Sequence, residues 1–491
     1  MVFIWLSIGF PILSGLYLLV RKEFVHRKAL LRTAGVSLLL SAALAVLAIW
    51  RCAGVNFVLF KLTETLTVEM RIDGTGILFA LMATVVFVCA GMFSFEYMKK
   101  EDHEKRYYGF YLMVLGVLYA LCFAGNLITF YLFFELLTLS SMPLVLHSQS
   151  HEAVMAGLKY LFYSLCGAYM ALFGLYVIDR YGVTLRFTAG GVLGPEAAEH
   201  TGLLLAAAFL MMLGFGVKAG MFPLHAWLPA AHPVAPSPAS AVLSAVIVKA
   251  GVLALVRTVY QIFGVSFLRG TRVQTAWMTF TLLTVFMGSM LAYREDVLKK
   301  RLAYSTVSQV SYILFGLSLM SGEGLTGGML QVLCHGFVKA GLFLCAGAIL
   351  FCTGRTRVSE LKGIGKKMPV LMWCYTILSL SLIGIPPMGG FVSKWHLAMG
   401  ALGSGIRGFD LIGPVVLLVS ALLTAGYLLP PAISGFFPGA DVAQDAIVRE
   451  EPSPWMNLPI IALTALSVII GIYPGPVTDY ISGCIVRLAG L

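Results

Sequence analysis

Charge is what this sequence has least of. Of its 491 residues only 12% are charged, against 59% that are hydrophobic, and the mean hydropathy is +0.90. So few polar side chains cannot cover a soluble globule, and that class is excluded. Polar stretches are equally short. Apolar runs of about twenty residues, each long enough for roughly 30 Å of hydrocarbon, follow one another from Val2 to Cys484 and leave no segment for a sizeable soluble domain. No basic residue precedes the first run, Val2 to Val20, while Arg21, Lys22, Arg27 and Lys28 follow it. That is the reverse of a cleavable signal peptide, so the run is expected as a retained helix that starts outside. Paired cysteines are missing as well. The nine cysteines, Cys89, Cys122, Cys345 and Cys374 among them, lie mostly inside apolar runs without zinc or iron–sulfur spacing and read as packing residues. The chain also lacks a nucleotide-binding glycine pattern beside a strand and a haem-type histidine pair, so no cofactor and no redox chemistry of its own are expected.

What the sequence does hold is a series of about fourteen membrane-length helices, an all-α polytopic membrane protein. The runs fall at 2–20, 30–50, 74–98, 108–123, 125–147, 153–180, 203–226, 239–262, 274–293, 301–320, 326–352, 369–403, 411–434 and 457–484. Basic residues gather in the odd-numbered loops: Arg21, Lys22, Arg27, Lys28 and Arg32; Lys99, Lys100, Lys105 and Arg106; Arg294, Lys299, Lys300 and Arg301; Arg355, Arg357, Lys362, Lys366 and Lys367. These loops carry about double the basic content of the even-numbered ones. The net charge of +11 is thus a positive-inside signal and not a nucleic-acid surface. Both termini are expected outside a cell inner (plasma) membrane.

Against this background a few polar residues stand in the wrong solvent. A charge at the bilayer centre costs about 3 kcal/mol or more, so a retained one is a functional-site hypothesis. Glu135 lies in the fifth run, Lys218 in the seventh, Lys249 in the eighth, His335 and Lys339 four residues apart on one face of the eleventh, and Lys394 in the twelfth. A lysine near a helix end reaching for the interface is the plain alternative for any one of them. Lys218 and Lys394 differ because each adjoins a helix interruption: Pro223, Pro229 and Pro233 follow the first, and Pro386, Pro387, Gly389 and Gly390 precede the second. Freed backbone groups at membrane depth are tolerated only beside protein or water. Helices 7 and 12 are five apart, so helices 4–8 and 9–13 read as two copies of one five-helix unit, the second inverted. The expected divisions are 1–100 for helices 1–3, 101–265 and 266–435 for the two repeats, and 436–491 for a C-terminal loop and helix 14.

Three further groups carry two readings each. Ser305, Ser308 and Tyr312 recur at helical spacing, as a water-ordering stripe or as ordinary helix-to-helix hydrogen bonds. Lys299, Lys300 and Arg301 read most simply as positive-inside anchors. His225 and His232, in PLHAWLPAAHP, fit loop ordering and proton relay equally.

The segment KAGMFPLHAWLPAAHPVAPSPASAVLSAVIVKAGVLALVR resembles the signature of the proton-translocating antiporter-like subunits shared by respiratory complex I, Mrp-type Na⁺/H⁺ antiporters and membrane-bound hydrogenases. YLFFELLTLSSMPLVL, LKKRLAYSTVSQVSYILFG, HGFVKAGLFLCAGAI and GIPPMGGFVSKW join it in the family's order, and the resemblance covers about residues 75 to 430. It implies that Glu135 and Lys218 form the family's ion pair, that Lys249 is the connecting residue, and that His335, Lys339 and Lys394 continue a proton path. It implies as partners other membrane-arm subunits, sister antiporter-like subunits among them, and peripheral redox subunits reached through an ion-translocating oxidoreductase of NADH:quinone or hydrogenase type. An Mrp-type Na⁺/H⁺ antiporter subunit is the rival reading, since the relay residues are shared. A closed structural subunit would need the charged series broken, and a solute transporter would want more hydrogen-bonding groups at its breaks than lysine and glycine.

Overall fold

The computed structural model describes residues 1–22, 24, 26–61, 63, 66–439 and 449–491. Part of the loop expected between helices 13 and 14, residues 440–448, lies outside the described residues. Helix dominates because hydrocarbon offers backbone N–H and C=O groups no partner, and a helix satisfies them within one segment. The helices are α1 (Val2–Val20), α2 (Arg27–Cys52), α3 (Gly74–Tyr97), α4 (Glu104–Cys122), α5 (Leu127–Val145), α6 (His151–Tyr181), α7 (Thr201–Ala219) and α8 (Leu228–Val234). After them come α9 (Ser237–Phe263), α10 (Arg272–Arg294), α11 (Leu298–Ser318), α12 (Gly322–Thr353), α13 (Pro369–Ile383), α14 (Gly389–Leu402), α15 (Phe409–Phe436), α16 (Pro454–Ile472) and α17 (Gly475–Tyr480). Among the described residues, eleven helices are long and apolar enough to cross a membrane. Their starts are written in the sequence: Asp73, Asn126, Ser150, Thr271 and Ser321 each accept from a backbone N–H three residues on, which satisfies an orphan donor of the first turn.

One element is unexpected and two helix ends need correction. The chain is not wholly helical: β1 (Asn56–Lys61) and β2 (Thr67–Arg71) form an antiparallel hairpin between α2 and α3. LTVEMR alternates with the period of a strand, VNFVLFK is rich in valine and phenylalanine, and both lie outside the apolar runs. The seventh helix, expected over 203–226, ends at Ala219, where Gly220 turns left-handed at φ 76° and the proline-rich stretch folds into a turn and the short α8. The last helix, expected over 457–484, stops at Ile472 and resumes at Gly475, because Pro474 cannot donate into a continuing ladder.

The loops sort into two faces by their hydrogen bonds. On one, Lys105 donates to the carbonyls of Arg21 and Lys22, Lys100 to that of Phe351, Ser359 to Asp296, and Lys367 pairs with Glu450. On the other, Arg186 makes two bonds to Glu69, Arg71 donates to the Phe187 carbonyl, and Gln261 to the Leu488 carbonyl. The first face joins odd-numbered loops and the second joins even-numbered loops, as helices that each cross the same slab require. The N-terminal amine lies 3.7 Å from Cys52 Sγ, at the end of α2, so both termini belong to the second face. There the carboxylate of Asp73 and the guanidinium of Arg257 form a buried, two-bonded ion pair, and Arg257 also reaches Gln261 Oε1 at 2.7 Å. Burial pushes the Asp73 carboxyl up, and Arg257 beside it more than offsets that, holding it below its ordinary value.

At the centre lies α9, buried over its whole length, as a helix apolar on every side must be. Its ladder widens to π geometry over Leu243–Ile247 and Arg257–Phe263, on either side of the turn that carries Lys249.

Candidate functional site

Lys218 ends α7 as a fully buried ammonium. Its Nζ donates to Thr138 Oγ1 on α5 at 2.9 Å and to Tyr160 OH on α6 at 2.5 Å, and Tyr160 OH lies 2.8 Å from Ser141 Oγ. Trp227 fixes this corner: its ring packs on Tyr160 at 4.7 Å, and its Nε1 donates at 2.8 Å to the Val217 carbonyl in the last turn of α7. Glu135 stands one turn before Thr138 on α5. It is half-buried, and its enclosed Oε1 has no hydrogen-bond partner. Glu135 and Lys218 make no direct ion pair, since the hydroxyls of Thr138 and Tyr160 take the carboxylate's place at the ammonium.

More than three turns into α9, Lys249 Nζ donates at 2.7 Å to the Ser244 carbonyl, five residues back, and lies 2.6 Å from His335 Nδ1. That contact joins α9 to α12. His335 Nε2 is buried without a partner. Lys339, one turn along α12, donates instead to the Leu302 carbonyl of α11 at 3.0 Å. The close approach of α7 to α9 depends on Gly251: a Cβ there would sit 2.6 Å from the Ala219 amide nitrogen and 3.1 Å from Lys218 Cβ.

In the second half the order is reversed. Here α13 ends at Gly384 (φ 92°), and Lys394, half-buried on the following α14, reaches back to the orphan carbonyls of Leu382 and Ile383 at 2.7 and 2.9 Å. Its ammonium lies 4.8 Å from the centre of the Tyr312 ring. Beside it runs an uncharged polar chain: Ser393 Oγ donates to Gln331 Oε1 at 2.5 Å, Gln331 Nε2 to Gln309 Oε1 at 3.0 Å, and Gln309 Nε2 approaches Thr424 Oγ1 at 3.5 Å.

None of Lys218, Lys249, Lys339 and Lys394 has a carboxylate within ion-pair distance among the described residues. The four lysine amines are held by hydroxyls, carbonyls and one imidazole, and no carboxylate in contact fixes their charge. The hydroxyl stripe resolves the plain way. Ser305 bonds Tyr427, Ser308 bonds Ser289, and Tyr312 donates to the Leu417 carbonyl, so these groups tie α11 to α10 and α15. Lys299 and Arg301 are not surface anchors: both are buried on backbone carbonyls, while Lys300 alone pairs at the surface with Glu295. His225 is half-buried and His232 wholly so. Thr138, Tyr160, Gln309 and Gln331 escape a reading of the sequence. The two glutamines carry a signal, since each interrupts an apolar run much as the lysines do.

The transmembrane family model described as "NADH:quinone oxidoreductase/Mrp antiporter, TM" matches residues 124–424, and "NADH-Ubiquinone oxidoreductase (complex I), chain 5 N-terminus" matches residues 62–108. This chain belongs to the NADH:quinone oxidoreductase/Mrp antiporter family. Within the family it is 32% identical over 423 residues to NADH-quinone oxidoreductase subunit N of Desulforudis audaxviator, covering 83% of this chain and 82% of that protein. A Na(+)/H(+) antiporter subunit of Alkalihalophilus pseudofirmus is 29% identical over 403 residues, 82% of this chain and 79% of its own length. A chain from the Mrp complex of Dietzia sp. DQ12-45-1b shares the family fold with a TM-score of 0.85 at 23% identity, over 100% of this chain and 97% of that one. The chain is therefore a multi-pass membrane protein of the antiporter-like subunit type.

Proposed function

We propose that this chain is the proton-translocating, antiporter-like membrane subunit of a complex I-related assembly. The observation that carries the reading is the series of buried bases without carboxylate partners, with Lys249 and His335 2.6 Å apart at its middle. Lys218 holds a proton while the Glu135 carboxylate stands near it. When a neighbouring subunit draws that carboxylate away, dehydration favours the neutral amine and the proton leaves toward Lys249. From there it passes through His335 and Lys339 to Lys394, with water closing the distances that side chains do not span. Each proton moved against 100 mV stores about 2.3 kcal/mol, which one rearrangement of buried charge supplies.

Residues 101–265 and 266–435 act as two inverted repeats. A lysine before the left-handed glycine in the first and after it in the second supports the inversion. The sorting of loops into two faces supports fourteen crossings, and the basic content of the odd-numbered loops supports an odd-loop face toward the cytoplasm of an inner membrane. The partners are other membrane-arm subunits, sister subunits of the same family among them, with redox proteins beyond. The assembly in vesicles, loaded with pH and sodium indicators, tests this reading: net proton movement without sodium is expected. Sodium exchanged for protons favours the Mrp-type reading, and movement of neither ion overturns both.

A further inference from the structure

Gln331, His335 and Lys339 follow one another at four-residue spacing, so their side chains share one face of α12. Helical side chains lean toward the N-terminal turn, which directs the His335 ring toward the turn of Gln331 and away from Lys339. His335 Nδ1 is taken by Lys249, and Nε2 is buried without a partner. Lys394 stands level with Gln331: Ser393, its neighbour on α14, donates to Gln331 Oε1 at 2.5 Å. The turn of Gln331 thus lies between Lys394 and the two bases further along α12. The helices touch closely on either side of it. A Cβ at Gly327, one turn before Gln331, would sit 2.7 Å from the Leu397 amide nitrogen, and one at Gly389, one turn before Ser393, 2.9 Å from Cys334 Sγ. Gln331 itself is 1% exposed, and both ends of its amide are engaged. Its Nε2 donates to Gln309 Oε1 on α11 at 3.0 Å, and Gln309 Nε2 approaches Thr424 Oγ1 on α15 at 3.5 Å. The Thr424 hydroxyl ends the chain on the Ser420 carbonyl at 2.7 Å. None of these bonds is spent on His335. An imidazole or a hydroxyl can take up one proton and give up another, whereas an amide keeps donor and acceptor on separate atoms and carries no proton across.

We propose that Gln331 is a positioning residue that closes the relay between His335 and Lys394, and that the path opens when its amide leaves Ser393 and water takes its place. The inference rests on the proton-relay reading above and deepens its last step. In the open state the Lys249 ammonium gives a proton to His335 Nδ1, Nε2 releases one to the water, and the neutral Lys394 amine takes one up. Lys249 ends as an amine, Lys394 as an ammonium, and the ring ends neutral with its tautomer exchanged.

The assembly reconstituted in vesicles tests it with Gln331→Leu, Gln331→Glu and Lys218→Ala. Each is read as proton movement under the driving reaction and as collapse of an imposed pH gradient without it. Leucine fills the place of the amide with no group that orders water, so driven movement is expected to fall roughly tenfold or more while the gradient persists as in wild type. Glutamate puts a carboxyl that takes up and releases protons into the closed position, and the gradient is expected to collapse roughly tenfold faster than in wild type. A residue that only packs helices would not speed that collapse. Wild-type driven movement in Gln331→Leu, or a wild-type collapse rate in Gln331→Glu, alongside loss in Lys218→Ala overturns the closure and leaves the relay standing. Wild-type driven movement in Gln331→Leu and Lys218→Ala alike overturns both. Should the Gln331 variants fail to assemble, Ser393→Ala decides: it removes the hydroxyl that holds the amide, faster collapse is expected, and a wild-type rate overturns the proposal.

Discussion

Lys218 is caged by hydroxyls, and the cage explains how an ammonium survives at membrane depth without a carboxylate against it. A hydrogen bond to a charged group is worth about 1.5–3 kcal/mol. Tyr160→Phe, which leaves ring packing on Trp227 intact, should therefore shift Lys218 toward its neutral form and slow proton movement by roughly tenfold. Proton uptake by vesicles measures this, and an unchanged rate would show the tyrosine to be packing alone. Glu135, Lys218, Lys249, His335, Lys339 and Lys394 are legible in the sequence because a charge or an imidazole inside an apolar run breaks the rule that the rest of the run obeys. Thr138 and Tyr160 are not, since threonine and tyrosine are unremarkable in such helices and stand 80 and 58 residues from Lys218. The burial of Lys299 is hidden for a different reason: a basic residue at a helix start looks like an anchor until the carbonyls of Pro233 and Ala235 fold over it.

At the scale of elements, the two broken helices set where the relay can be. Both breaks are visible in the sequence as proline and glycine at membrane depth, yet the way each lysine uses its break is not. Lys394 satisfies carbonyls that α13 abandons, which requires α14 to pack tightly on α13. Gly390 allows it: a Cβ there would lie 1.8 Å from the Ser381 carbonyl oxygen. Gly390→Ala should therefore push the two half-helices apart and lower the thermal midpoint of the purified assembly, at a cost of about 1–3 kcal/mol. Gly202→Ala, where nothing lies within 4 Å, should leave it unchanged. Equal midpoints for the two variants would contradict the close packing. The β-hairpin and the interruption at Pro474 are harder to read because hydropathy windows of membrane length average over short segments.

For the molecule as a whole, buried lysines lie on α7, α9 and α12, and Asp73 and Arg257 form a separate buried ion pair near the terminus-bearing face. Removing one member of a buried pair leaves an uncompensated charge, at a cost of about 3–5 kcal/mol. Asp73→Asn should lower the unfolding midpoint strongly, and the double variant Asp73→Asn with Arg257→Met should recover much of it, because both charges are then gone. Thermal unfolding in detergent checks the pair, and additive losses would show that the two residues act separately. The multi-pass architecture is the part most fully written in composition. The contact between Lys249 and His335, 86 residues apart, is written only in the packing of α9 on α12.

The central claim is that Lys218 and Lys394 are stations on one ion path. The direct measurement is ion transport by the reconstituted assembly, with pH and sodium indicators inside the vesicles, for wild type, Lys218→Ala and Lys394→Ala. Both variants are expected to assemble and lose proton transport. Assembled variants that transport at the wild-type rate would make both lysines structural and contradict the relay.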